Sequence, residues 1–341
     1  MGIVDVPLKL GTDFLIKTIL PGIALFIFLL DPIIRPLFYR IWIYLDFEGK
    51  LVMWLLMGFA LGLVLMLCDL YIYRFFMGIW PWPKRLQKWM KNREEKYYER
   101  LNKRIWELKD KRDNGKISSE ENSELRILTE KSRDFPPIGN EKDSLDGIKN
   151  VMKRYPHFPT RFGNVVGEYE YYSLNRYGIH MMIFWNHLFQ ILSDETKEEL
   201  KIRDSIVDMC VYLCFASLIS AIMGLVFLAI QGEWWFTICE DVSIPGKPVF
   251  YFLFLVLVSL FFYKVSLVQQ KSYGLFLKSI FDLNRGKLAH ELGFELKKRH
   301  HACKEDLEEE KALWREYQYF YHDYKYVEGK KKGIVRFKID F

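Results

Sequence analysis

Four long apolar runs constrain what this chain can fold into. They extend over residues 14–30, 51–72, 206–230 and 249–268, and each contains few charged residues. A helix needs about 20 apolar residues to cross the hydrocarbon core of a bilayer. The runs therefore predict four helical spans in a lipid bilayer. The first run is short and contains Pro21, so a tilted or partly re-entrant segment is an alternative to a full crossing there.

Charged residues are concentrated between and after these runs. The 341-residue chain is 50% hydrophobic and 27% charged overall, and its 17% aromatic content excludes a disordered chain. We therefore expect a mainly α fold, a four-span helical membrane protein with a helical cytoplasmic domain. The expected divisions are spans one and two at 1–80, a cytoplasmic helical hairpin and motif segment at 81–204, spans three and four at 205–270, and cytoplasmic C-terminal helices at 271–341.

The distribution of Lys and Arg predicts the orientation of the spans. Residues 84–112 contain 12 Lys or Arg against 5 Asp or Glu, whereas residues 231–248 contain one Lys against three acidic residues. Basic segments near span ends remain on the cytoplasmic side. We therefore expect a multi-pass protein of the cell (inner) membrane with both termini in the cytoplasm.

A helical hairpin is predicted directly after the second span. Pro83 ends the pattern of the span, and a helical pattern resumes at Lys84. Ser118 and Glu121 form a capping-box sequence that starts a second helix running to about Ser132. The basic excess of the first helix predicts contact with the anionic headgroups of the lipid bilayer.

A denser motif segment follows the hairpin. It contains Pro-Thr-Arg-Phe-Gly-Asn at 159–164, Glu168, Arg-Tyr-Gly at 176–178, and Trp185. Opposite charges among aromatic residues are usually paired when they are partly buried, which favours a structural network. The alternative is a binding site for an anionic ligand such as a phosphate or nucleotide. The candidate residues are Arg161, Asn164, Glu168, Arg176 and Tyr177.

This segment resembles one in a family of largely uncharacterised prokaryotic multi-span membrane proteins. The shared pattern is Pro-Thr-Arg-x-Gly-Asn, then Glu, then Arg-Tyr-Gly, then Trp. The resemblance covers about 30 residues and the span that follows them, under a fifth of the chain. Relatives usually have an acid where this chain has His180, and Pro-Arg where it has Asn186 and His187. The resemblance implies a prokaryotic membrane protein and implies no activity.

No catalytic motif is present in the sequence. The chain has no Gly-rich phosphate loop, no nucleophile elbow and no paired-His metal motif. We therefore predict no catalytic residue, no cofactor, no metal site and no sequence-specific binding of nucleic acid.

Ionisable residues inside apolar runs are candidate functional groups. Lys17, Asp69 and Lys264 lie at membrane depth, near the cytoplasmic ends of their runs. Such residues mark ion or proton pathways in many membrane proteins. The alternative is that their side chains extend to the lipid interface, as long charged side chains often do.

Small residues in two spans predict close helix contacts. Span two contains Gly58 and Gly62, and span three has a comparable small face. In lipid, helices associate through close packing, so these faces predict contacts with helices of the same protomer or of a second protomer. We expect contacts between protomers, and hence a homo-oligomer. The small face of span three consists of Cys214, Ser217, Ala221 and Gly224.

Two functions from different classes follow from these features. One is an oligomeric membrane protein, channel-like or a membrane effector, gated by its cytoplasmic domain. Oligomers are required because four short spans cannot easily enclose a pore in one chain. The other is a membrane-anchored scaffold or sensor that acts through a cytoplasmic protein partner or an anionic ligand such as a nucleotide.

Overall fold

The protein is described by a computed structural model, which covers residues 15–27, 46–136, 157–231, 247–293, 296 and 304–322. These residues are mainly helical, and no strand occurs among them. A π-helical turn (Leu15–Ile19) precedes the first α-helix. The α-helices are α1 (Leu20–Leu25), α2 (Phe47–Leu67), α3 (Asp69–Phe76), α4 (Lys84–Asp113), α5 (Ser119–Ser132), α6 (Arg161–Glu170), α7 (Tyr172–Tyr177), α8 (Met181–Ile191), α9 (Asp194–Gln231), α10 (Lys247–Glu291) and α11 (Lys304–His322).

Three helices are long and apolar enough to cross a membrane. They are α2, the Asp194–Val226 part of α9, and the Phe250–Glu291 part of α10. The prediction of apolar helices in the second, third and fourth runs is therefore confirmed. The first run extends beyond the described residues 15–27, where α1 has six residues. The four-span count consequently stays a prediction.

The chain forms two compact units, each built from stretches that are distant in sequence. The first unit comprises residues 1–75 and 199–270. The second unit comprises residues 76–198 and 271–341. The first unit contains α2, residues 199–231 of α9 and residues 247–270 of α10. The second unit contains the hairpin, the motif segment and residues 271–291 of α10.

Glycines hold α2 against the segment that includes α1 in the first unit. A Cβ placed on Gly62 would lie 2.0 Å from the carbonyl oxygen of Thr18, and one on Gly22 would lie 1.8 Å from that of Gly58. The two backbones are therefore in direct contact, which only glycine permits at these positions. The close helix contact predicted at Gly58 and Gly62 therefore occurs within the chain, and a contact of these residues with a second protomer stays a prediction.

The small face of α9 is also buried within the first unit. The Cys214 thiol donates to the carbonyl oxygen of Ser259 on α10 at 3.3 Å, and the Ser259 hydroxyl donates to the carbonyl oxygen of Cys214 at 3.2 Å. Ser217 and Ala221 are buried, and Gly224 is half-buried. Other parts of the chain therefore cover most of this face, and a protomer interface at Cys214, Ser217, Ala221 and Gly224 stays a prediction.

The hairpin in the second unit forms where its sequence predicts it. The Ser118 hydroxyl accepts a hydrogen bond from the Glu121 backbone N–H at 3.1 Å, and the Glu121 carboxylate accepts one from the Ser118 N–H at 3.1 Å. This reciprocal cap starts α5. A small apolar core then joins α4 to α5; it consists of Leu101, Ile105, Leu108 and Leu125.

Replacing Gly62 by alanine tests the glycine contact in the first unit. We expect Gly62→Ala to lower the free energy of unfolding by about 1–3 kcal/mol, because the new Cβ overlaps the Thr18 carbonyl oxygen. The matched control is Gly286→Ala in α10, where no atom lies within 4 Å of a new Cβ. That change is expected to raise the free energy of unfolding by about 0.5–1 kcal/mol, because alanine has a higher helix propensity than glycine. Thermal unfolding in detergent measures both, and a neutral Gly62→Ala contradicts the contact.

Candidate functional site

The motif segment positions its charged residues by capping α6. The Thr160 hydroxyl accepts a hydrogen bond from the Gly163 N–H at 3.0 Å and donates one to the carbonyl oxygen of Phe76 at 2.5 Å. The Asn164 side-chain oxygen accepts from the Phe158 N–H at 2.7 Å. The Pro-Thr-Arg-x-Gly-Asn pattern therefore fixes the start of this helix, and with it the position of Arg161.

Arg161 lies at the centre of a group of charges in the second unit. Its guanidinium donates to the Asp134 carboxylate at 2.8 Å and lies 4.0 Å from the Glu94 carboxylate. It also stacks 4.2 Å above the ring of Phe135. Lys271 Nζ lies 2.8 Å from the same Asp134 carboxylate. The Asn164 side-chain amide donates to the Glu94 carboxylate at 3.4 Å. We refer to Glu94, Asp134, Arg161, Asn164 and Lys271 as the Arg161 network.

Water reaches Arg161 and Asp134 poorly, whereas the Lys271 side chain is 44% exposed. The Arg161 side chain is 22% exposed and that of Asp134 is 8% exposed. Burial raises the pKa of Glu94, and the charge of Arg161 opposes that rise. The cost of burying each of these charges is therefore offset by an opposite charge beside it.

Glu168 forms an adjacent ion pair with Lys278. Burial raises the pKa of Glu168, and the hydrogen bond from Lys278 opposes that rise. Together with the Arg161 network, this gives three cations and three carboxylates. Because the charges balance, this arrangement favours the structural interpretation of the motif over an anion site.

Arg176 and Tyr177 belong to a separate cluster around Asp282. The Tyr177 hydroxyl donates to the Asp282 carboxylate at 2.6 Å, and the Tyr172 hydroxyl donates to it at 2.9 Å. Arg176 is 53% exposed and lies 4.0 Å from Asp282. Gly178 ends α7 with a φ of 77°, a left-handed conformation that suits glycine. The five candidate residues are thus divided among three neighbouring groups, and their role in binding a ligand stays a prediction.

The partners of the motif were not identified from the sequence. Glu94, Asp134, Lys271, Lys278 and Asp282 come from other segments of the chain. Lys271, Lys278 and Asp282 are spaced seven and four residues apart, so they share one face of α10. That spacing indicates a charged face on α10, but it does not indicate that the face packs against α6 and α7.

Two further buried titratable groups occur in the second unit. The His157 side chain is 1% exposed, and its ring lies 4.8 Å from the ring of Tyr98. Within the part of the chain that the structure describes, neither ring nitrogen has a hydrogen-bond partner. Burial lowers the pKa of His157 to about 4, so the ring is neutral at pH 7. Burial raises the pKa of Glu170 to about 7.

Two of the predicted membrane-depth residues pair inside the first unit. Lys17 forms an ion pair with Asp208, which is 2% exposed and accepts a hydrogen bond from the Tyr73 hydroxyl at 2.5 Å. The Tyr212 hydroxyl donates to Asp69 at 2.7 Å. These contacts favour internal pairing over extension to the lipid interface. The third residue, Lys264, is exposed on α10 and has no carboxylate within ion-pair distance among the described residues.

No family model, curated protein or solved structure matches the chain. The resemblance to a prokaryotic membrane-protein family therefore stays a prediction.

Removing Arg161 tests whether its network holds the second unit together. We expect Arg161→Met to lower the free energy of unfolding by about 3 kcal/mol, because Asp134 and Glu94 lose a cation where water screens them poorly. The control is Arg104→Met, which removes an exposed pair with Glu124 that joins α4 to α5. That change should cost less than about 1 kcal/mol. Chemical unfolding in detergent measures both, and equal losses contradict a special role for Arg161.

The raised pKa of Glu170 predicts a pH-dependent stability. Because the folded protein holds this proton more tightly than the unfolded chain, the contribution is favourable below the ordinary pKa of 4.5 and is lost as pH rises through about 7. We therefore expect Glu170→Gln to raise the melting temperature at pH 8 and to leave it unchanged near pH 4.5. The exposed Glu99→Gln serves as the control. A similar gain at both pH values would show that burial of the charged form is not the cause.

Proposed function

We propose that the protein is a membrane-anchored scaffold or sensor whose helical second unit meets a cytoplasmic partner. The Arg161 network is the observation that supports this proposal most directly. It joins α4, the segment after α5, α6 and α10, so parts of the chain that are distant in sequence form one preassembled unit. The charges of this network pair with one another, so they do not themselves offer a site for a ligand. We therefore assign binding of the partner to the exposed surfaces of the second unit.

The proposal places the second unit and both termini in the cytoplasm of a cell with an inner membrane. The excess of Lys and Arg over residues 84–112 supports this orientation. The three apolar helices support membrane anchoring.

A channel-like oligomeric effector is the other candidate function. The ion pair of Lys17 with Asp208, and Asp69 with its hydrogen bond from Tyr212, favour it, since ionisable residues at membrane depth often line ion pathways. It is the weaker candidate, because an oligomer requires surfaces for a second protomer. The small faces of α2 and α9 that suggested such surfaces are used within the chain.

Ion flux through reconstituted liposomes distinguishes the two functions. A scaffold or sensor should leave the leak of K⁺, Na⁺ and Cl⁻ equal to that of protein-free liposomes, because its function requires no conducting pore. Light scattering of the detergent-solubilised protein should give one 40.9 kDa chain per particle. A flux that increases with the amount of protein, and that Asp208→Asn abolishes, would overturn the proposal and establish the channel.

A further inference from the structure

We infer that one exposed face of α4 docks on a surface of anionic lipid headgroups. This inference rests on the proposed membrane anchoring and names a partner for the same helical unit. The residues concerned, called the basic face below, are Arg85, Trp89, Arg93, Lys96, Arg100 and Lys103.

The six side chains lie on one side of the helix. Their spacings are four, four, three, four and three residues, which keep them on one face of a 3.6-residue period. All six are exposed, and Trp89 is 59% exposed. The Arg93 guanidinium lies 6.0 Å from the centre of the Trp89 ring. A large aromatic ring and five cations thus share a surface that the second unit leaves open.

The cations of the basic face differ from those that face α5. Arg104 hydrogen-bonds Glu124 at 2.9 Å, and Lys111 pairs with Glu121, so the charges on the hairpin side are compensated. Among the described residues, no ion pair joins a cation of the basic face to a carboxylate, although Arg93 is near enough to its neighbour Glu94 to act on the pKa of that carboxyl. Glu99 lies at the edge of the face and reduces its charge by one. The surplus positive charge is therefore available to a partner outside the chain.

The position of α4 in the chain favours lipid over an acidic protein. It begins at Lys84, and the candidate span α2 ends at Leu67, so only α3 and a short turn separate the basic face from a membrane helix. A short tether raises the effective concentration of headgroups far above that of a dissolved partner. Tryptophan also favours the membrane interface, where its ring contacts lipid and its N–H remains hydrated.

The gain in binding to an anionic bilayer that five cations should give is large enough to measure. Each Lys or Arg near an anionic leaflet contributes roughly a fivefold gain in binding, and salt screens this attraction. Reversing three of the charges should therefore reduce docking by at least about a hundredfold.

The test uses the full chain in nanodiscs of brominated phosphatidylcholine, with or without brominated phosphatidylglycerol. The fluorescence of Trp89 is obtained as the difference between the wild type and Trp89→Phe. We expect bromine to quench Trp89 strongly in the anionic discs at low salt, and weakly in neutral discs or at high salt. The triple variant Arg93→Glu, Lys96→Glu, Arg100→Glu should lose this quenching.

The matched control reverses the same number of charges outside the basic face. Lys116→Glu, Arg126→Glu, Lys131→Glu changes three exposed residues of the same hairpin and should keep the quenching. Equal quenching in neutral and anionic discs, or equal loss in both triple variants, would overturn the inference. Binding of a soluble poly-glutamate peptide without lipid quenching would overturn it in favour of an acidic protein. Ion flux is measured separately, so a failure of the scaffold proposal is distinguishable from a failure of this one.

Discussion

Arg161 donates a hydrogen bond to Asp134 at a place where water reaches both side chains poorly. An unpaired charge there would carry a large desolvation cost, so each member of the group depends on the others. Glu94, Asp134 and Lys271 come from different stretches of the chain, and they contribute to this group only when α4, α6 and α10 are all in place. The ring of Phe135, 4.2 Å from the guanidinium, helps exclude water and strengthens the attraction. The contacts of the Arg161 network therefore fix the positions of α4, α6 and α10 relative to one another.

The first unit uses a different means of holding its helices together. Lipid gives apolar helices little reason to associate, so close backbone contact becomes the main attraction. Gly22, Gly58 and Gly62 allow the first segment to approach α2 until carbonyl oxygens occupy the space of absent side chains. The ion pair of Lys17 and Asp208 adds a polar contact to the same unit. Ion pairs between partly buried side chains thus hold the second unit together, and close backbone contacts at glycines hold the first unit together.

The limits of individual helices could be predicted from the sequence, whereas the contacts between distant helices could not. The limits of α4 and α5 follow from Lys84, from the Ser118 cap and from a 3.6-residue apolar period, all of which act within a few residues. The charges of the motif predicted that partners exist, but Asp134 and Lys278 could not be named, because their proximity depends on how distant helices pack. A stripe of small residues has the same ambiguity. It predicts the close approach of another backbone but does not say whether that backbone belongs to the same chain. At Gly62 the neighbouring backbone is that of Thr18 in the same chain.

The buried carboxyl group of Glu170 has a consequence for the composition of the folded population. With a pKa of about 7, this group is protonated in about half of the molecules at neutral pH. The native protein is then a mixture of two protonation states that share one fold and exchange protons with the solvent. Any measured property that senses charge, from electrophoretic mobility to the chemical shifts around α6, is an average over the two. The pH of the buffer therefore sets the proportion of molecules in which Glu170 is protonated.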